Sequence, residues 1–268
     1  MHGTTTHAIA FIVAATVAGA TVGHGVARAG TPPATELVIF EAASLKEAFA
    51  TLAARFEKDH PAAHVVTNPA GSQELRAQLE QGAVADLFAS ADQRHMDALA
   101  NEGLVVGPAL FACNEPVVVV RAGLDASLRT FADLPRVDRI VVGAPEVPIG
   151  AYTVQIWRKA AAKLGTDFAA RLAAKVVSRE LNVRQVLAKV LLGEADAGIV
   201  YRSDARAARR KVGLVEIPPE LNVTAAYPIA ALKAAPHPAL ARAFIDLVRS
   251  PAGAAVLREA GFVPCSGR

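Results

Sequence analysis

Long hydrophobic runs, cysteines and aromatic side chains are all scarce in these 268 residues. Only 2 cysteines occur, Cys113 and Cys265. Neither sits in a CxxC pair or beside a histidine, which argues against a metal knuckle or a redox motif. In an oxidising compartment the two can pair with each other. Aromatic residues make up 5% of the chain, and none interleaves its one dense basic cluster, Arg206, Arg209, Arg210 and Lys211. With a formal net charge of only +3, that cluster reads as a solvated helix end and not as a nucleic-acid surface. The 7 histidines, His2, His7, His24, His60, His64, His95 and His237, are scattered, and no two have metal-ligand spacing. No G-x-S-x-G surrounds a serine, so a hydrolase nucleophile lacks its usual local signature. Beyond the leading residues no stretch reaches ~18 uninterrupted apolar residues, the length of a membrane-spanning helix.

What is present begins with an export pattern. Residues 1–29 read as a removable signal. Ala8–Val22 is apolar but short and interrupted by Thr and Gly, and Ala27-Arg28-Ala29 is a small-x-small cleavage pattern ending at Ala29. The leading MHGTTTH departs from that pattern by carrying no Lys or Arg. No Cys stands at the cleavage point to take a lipid, so a free periplasmic protein is expected.

The remaining chain is long enough for a sizeable core, and 53% of all residues are hydrophobic, with Ala, Val and Leu dominant. Short β-rich runs alternate with helical periodicity. Leu37–Phe40, His64–Thr67, Leu87–Ser90, Pro116–Arg121, Ile140–Gly143, Ala197–Tyr201, Leu214–Ile217 and Tyr227–Leu232 read as strands. Helices are expected over Leu45–Lys58, Gln73–Gln81, His95–Asn101, Ile149–Leu164, Phe168–Lys175, Val183–Leu192, Leu240–Ser250 and Gly253–Ala260. This is an α/β pattern with mostly parallel sheets. Gly107–Glu115 and Asn222–Ala226 read as two crossings between lobes. They imply a first lobe from residues 36–112 plus 229–268 and a second from 113–228. Two lobes joined by two crossings leave a cleft that closes by hinge motion.

Four segments share one design, in which a turn delivers a small or hydroxyl-bearing residue to a helix start. Ser44 opens one helix, Ser72 a second, Pro148-Ile149-Gly150 a third and Asn182-Val183 a fourth. A helix start presents unpaired N–H groups and the positive end of the helix dipole, a natural anion site. Ser and Asn are equally ordinary N-caps, worth ~1 kcal/mol to the helix alone, and for any one position that is the simpler explanation.

The combination is more specific. EAASLKEAF, NPAGSQELRAQLEQGAVADLFASAD, VGAPEVPIGAY, LNVRQVL and AGIVYRSDA occur in one order from about Glu36 to Phe262. In this the chain resembles the periplasmic molybdate-binding proteins of ABC importers. The resemblance implies the two-lobed fold of type II periplasmic binding proteins and high-affinity binding of molybdate or tungstate. The implied partner is an inner-membrane ABC permease, and a monomer without cofactor, without nucleic acid and without enzymatic activity is expected. Carried onto this sequence, Ser44 and Ser72 each give a hydroxyl and a backbone N–H. Ile149 and Val183 give backbone N–H groups, and Tyr201 gives a phenolic O–H. Asn182 either reaches the ligand or caps its helix. VSRELNVRQVL departs in wording from the family.

A site made only of neutral donors suits a fully deprotonated tetrahedral dianion. Burying its charge costs several kcal/mol, and hydrogen bonds to a charged group return about 1.5–3 kcal/mol each. Protonated phosphate would leave a donor unpaired, and sulfate is smaller. The alternative is a binding protein for another oxyanion such as sulfate or thiosulfate, since one fold serves many ligands. Asp86, Asp92 and Asp204 are expected in turn and capping roles, and Arg184 is expected to face solvent.

Overall fold

The computed structural model describes residues 34–124, 127–208 and 210–265. The expected export signal, residues 1–29, lies outside them. β1 (Thr35–Ala42) runs through a 3-10 turn, Ala43–Leu45, into α1 (Lys46–Asp59). β2 (Ala63–Ala70) precedes α2 (Ser72–Glu80), and β3 (Leu87–Ala89) precedes α3 (Gln93–Asn101). β4 (Val105–Asn114), β5 (Pro116–Arg121) and β6 (Ile140–Gly143) follow. Next come α4 (Pro148–Leu164), α5 (Thr166–Ala174), β7 (Val176–Glu180) and α6 (Val183–Leu191). β8 (Ala197–Tyr201), α7 (Arg202–Ala207), β9 (Val212–Val215) and β10 (Ala225–Leu232) lead to α8 (Pro238–Arg249) and α9 (Pro251–Glu259).

The strands form two sheets of the same design, ordered β2-β1-β3-β10-β4 and β7-β6-β8-β5-β9. In the first, β1 pairs in parallel with β2 and β3, while β10 runs antiparallel to β3 and β4. In the second, β6 pairs in parallel with β7 and β8, while β5 runs antiparallel to β8 and β9. The one reversed strand in each sheet adjoins a passage between the sheets. The chain leaves the first sheet after Asn114 and regains it at Ala225. Each sheet with its helices is called a lobe below.

Two expectations change here. Gly107–Glu115, read as a connection, is mostly β4. Its Gly107-Pro108 looks like a linker, but β4 is an edge strand, where a missing N–H is tolerated. β7 was not anticipated at all. Its residues alternate between half-buried and exposed at the other sheet's edge, so it lacks the apolar run of β5.

The core follows the periodicity. α1 buries Ala48, Phe49, Leu52, Ala53 and Phe56 on one face. Phe49 and Phe56 pack edge-on against Phe244 of α8, with centroids 5.7 and 5.4 Å away. Burying each such ring is worth about 1.5–3 kcal/mol. Val117 to Val120 of β5 are all fully buried, as expected of a strand covered on both faces. Cys113 and Cys265 form a disulfide with Cα atoms 5.1 Å apart. It stands beside a two-way backbone bridge between Cys113 and Val263, so the C-terminal segment is tied to β4 where the chain first crosses.

Candidate functional site

The first two parallel strands of each sheet, and β3 and β8 beside them, end at one place. Ser44 follows β1, Ser72 follows β2 and Ala91 follows β3. From the other lobe, Val147 to Ile149 follow β6, Asn182 and Val183 follow β7, and Tyr201 ends β8. Ligands of open α/β sheets bind beyond the carboxyl ends of the strands. A cavity with an empty volume of about 220 Å³ lies there, and Ser44, Ser72, Ile149, Asn182, Val183 and Tyr201 all line it.

No lining residue is ionisable apart from the phenol of Tyr201. What lines it instead is a set of donors. Ser44 sits in the turn that starts the α1 segment, and Ser72 is the first residue of α2. Ile149 is second in α4, behind Pro148, which has no N–H to offer. Val183 is first in α6. Amides at these positions have no intrahelical acceptor. Asn182 caps α6 while also lining the cavity. Its Oδ1 accepts from Arg184 N at 3.0 Å and Gln185 N at 3.1 Å, leaving the Val183 N–H unused.

The hydroxyls are oriented from behind. Ala91 N donates to Ser72 Oγ at 3.0 Å, so the hydroxyl hydrogen of Ser72 remains available. Ser44 Oγ lies 2.9 Å from the Tyr227 hydroxyl. Burial drives the pKa values of Tyr201 and Tyr227 well above that of an ordinary phenol, so both stay protonated. Tyr201 OH is buried and has no hydrogen-bond partner in the protein. All 3 tyrosines of the chain meet here. The Tyr201 ring lies 6.3 Å from Tyr152 and 5.8 Å from Tyr227.

Close backbone approach shapes the second lobe's wall. A Cβ on Gly150 would lie 1.9 Å from Ala144 O, and one on Gly143 would lie 2.8 Å from Gly150 N. The glycines therefore let the start of α4 sit hard against the end of β6.

The aspartates take structural roles. Asp92 caps α3 through His95 N, and Asp86 accepts from Val38 N at 2.8 Å and His237 N at 2.7 Å. Asp204 is fully buried and accepts from Tyr201 N at 3.2 Å. Burial raises its pKa to about 6, against the opposing pull of Arg184. Arg184 corrects the reading made from sequence. It does not point to solvent but bridges Glu47 and Asp204. Burial opposes its charge, yet the two carboxylates together raise its pKa. Nothing local in LNVRQVL announces this, because both partners are distant in sequence. From sequence Tyr227 reads only as the start of a strand, and its contact with Ser44 spans 183 residues. Among the described residues, no group of three or more His, Cys, Asp or Glu side chains is placed to hold a metal ion.

Residues 37–263 match the family model of the bacterial extracellular solute-binding proteins. The chain belongs to this family. The molybdate-binding protein ModA of Mycobacterium tuberculosis is 43% identical over 234 residues, covering 87% of this chain and 86% of that protein. Among solved structures, the substrate-binding domain of a putative molybdenum ABC transporter from Clostridium difficile is 32% identical. It covers 87% of this chain and 100% of its own, with a TM-score of 0.66. The sulfate-binding protein SubI from M. tuberculosis has a TM-score of 0.77 at 20% identity, covering 86% of this chain and 87% of its own. That last likeness is one of fold alone.

Proposed function

We propose that this solute-binding protein captures molybdate, and tungstate with it, outside the cytoplasm and hands the anion to an ABC permease in the inner membrane. Relatives named for molybdate support the ligand class. One observation carries the reading at the level of chemistry. Ser72 Oγ already accepts from Ala91 N, the Tyr227 phenol lies against Ser44 Oγ, and the cavity is lined by hydroxyls and helix-start amides with no ionisable side chain apart from the phenol of Tyr201.

In this reading the ligand is held by the hydroxyls and amides of Ser44 and Ser72, the amides of Ile149 and Val183, and the phenol of Tyr201. Asn182 serves by capping α6. A tetrahedral oxyanion that is fully deprotonated near neutral pH accepts from all of these. A protonated phosphate would bring a donor with nothing to accept it, which is the costly arrangement. No lysine or arginine lines the cavity, so the charge is met by partial charges at helix starts and by hydroxyls. Among the described residues the hydrogen-bond partners of the serine hydroxyls are Tyr227 OH for Ser44 and Ala91 N for Ser72, so neither serine is assigned a catalytic role, and no cofactor is required. The protein acts as a periplasmic monomer released by cleavage near Ala29.

The test is a thermal-shift panel on the purified protein with molybdate, tungstate, sulfate and phosphate at equal concentration. A ligand at about 100 times its Kd adds about 2.7 kcal/mol to the folded state. Stabilisation by molybdate and tungstate, with sulfate and phosphate inert, is expected. A shift with sulfate alone would transfer the site to the other oxyanion that this fold serves, and a shift with none of the four would sink the assignment.

A further inference from the structure

We propose that Arg184 is a positioning residue, a latch that holds the two lobes closed over the bound oxyanion. The inference rests on the oxyanion reading above for its ligand, but its geometry stands apart from the ligand's identity. Arg184 directly follows Val183, the first residue of α6. Its Nη1 lies 2.9 Å from Glu47 Oε1, and its Nη2 meets Glu47 Oε2, a two-pronged pair with α1 of the other lobe. Its Nε lies 2.8 Å from Oδ1 of the buried Asp204. The second oxygen of Asp204 accepts the backbone N–H of Tyr201.

One guanidinium therefore joins three elements of the site. These are α1, which begins behind Ser44, α6, which begins at Val183, and α7, which follows Tyr201. Other polar contacts cross the cleft, from Gln73 Nε2 to Leu181 O at 2.6 Å and between His95 Nε2 and Glu146 O at 3.1 Å. Those reach backbone carbonyls. Glu47–Arg184 joins two formal charges, and it forms only when the lobes meet. Because neither side chain lines the cavity, the latch acts on how long the ligand stays and not on how it is recognised.

The experiment compares wild type with Glu47→Gln. Glu47 is half exposed, so the change leaves no buried charge behind. Replacing Arg184 instead would strand Asp204. Molybdate association and release are followed by stopped-flow through dyes on Val84→Cys and Leu192→Cys, exposed positions on the two lobes. Glu47→Gln is expected to release molybdate roughly two- to fivefold faster, with arrival changed less than about 1.5-fold. Salt should speed release from wild type and not from the variant, while Glu47→Asp should recover part of the slow release. Equal release rates with equal salt dependence would overturn the latch. If wild type fails to bind molybdate, the ligand reading falls and the dyes still decide the latch. A longer interlobe distance in Glu47→Gln without added anion supports it, and identical distance distributions overturn it.

Discussion

The Tyr227 hydroxyl and Ser44 Oγ lie 2.9 Å apart, joining a strand of the return crossing to the first loop of the site. If the phenol donates to Ser44, the serine hydroxyl is free to donate to an anion. Tyr227→Phe removes that support while keeping the ring that packs 5.2 Å from Phe262. A neutral hydrogen bond is worth about 0.5–1.5 kcal/mol, so oxyanion affinity should fall roughly two- to tenfold. Ser44→Ala removes the donor itself and should cost at least about tenfold. Ser72→Ala should match that loss and also lower stability, because it leaves the buried Ala91 N–H without its acceptor. Titration calorimetry and chemical denaturation on the three variants separate these outcomes. Unchanged affinity in both serine variants contradicts the site.

How much of this was legible beforehand follows from how local each signal is. The helix starts at Ser44, Ser72, Ile149 and Val183 are written in adjacent residues, because caps, prolines and apolar spacing act within a turn or two. The alternation of β1, β5, β6 and β8 with helices is legible for the same reason. β4 and β7 escaped because edge strands need no continuous apolar run, and Gly107-Pro108 resembles a connection. Arg184 and Tyr227 escaped for a different reason. Each sits in an unremarkable phrase, and its partner is brought to it only by the packing of lobes. Asn182 lay between, since a cap and a ligand contact have the same sequence.

Gly71 tests lobe closure without removing any of the donors assigned to the ligand. Its backbone, φ −64° and ψ 137°, suits alanine as well as glycine. A Cβ there would nevertheless lie 2.5 Å from Leu181 O of the other lobe and 2.4 Å from Gln73 Nε2. Gly71→Ala should therefore fold normally yet resist full closure. The expected result is weaker oxyanion binding, with unfolding in urea at or above wild-type stability. Wild-type affinity in this variant would mean that the lobes need not approach this closely.

The disulfide joins residues 152 positions apart, so it closes a long loop of the unfolded chain. Chain-entropy arguments assign such a loop about 4–5 kcal/mol, an upper figure that native strain and residual structure reduce. It lies at β4 and the C-terminal segment, and neither cysteine lines the cavity. Cys113→Ser with Cys265→Ser should lower the melting temperature substantially while leaving oxyanion affinity within about twofold at 25 °C. A large affinity loss in the folded double variant would show that the tie at the first crossing also sets the cleft.

Glu41 provides a pH signature. It is fully buried in β1, three residues before Ser44. Burial, reinforced by the nearby charge of Glu47, raises its pKa from 4.5 to about 8, and Thr67, Lys46 and Arg184 only partly oppose the rise. The folded state thus holds this proton more tightly than the unfolded chain does. Its contribution to stability is complete below pH 4.5 and is lost as pH rises toward 8, by up to about 1.4 kcal/mol per pH unit within that window. Glu41→Gln cannot ionise and should lack this component. Denaturation of both proteins between pH 5 and pH 8.5 should show the variant gaining on wild type steadily as pH rises. Parallel curves would mean that Glu41 is ionised in the fold across this range, held by partners that its burial does not reveal.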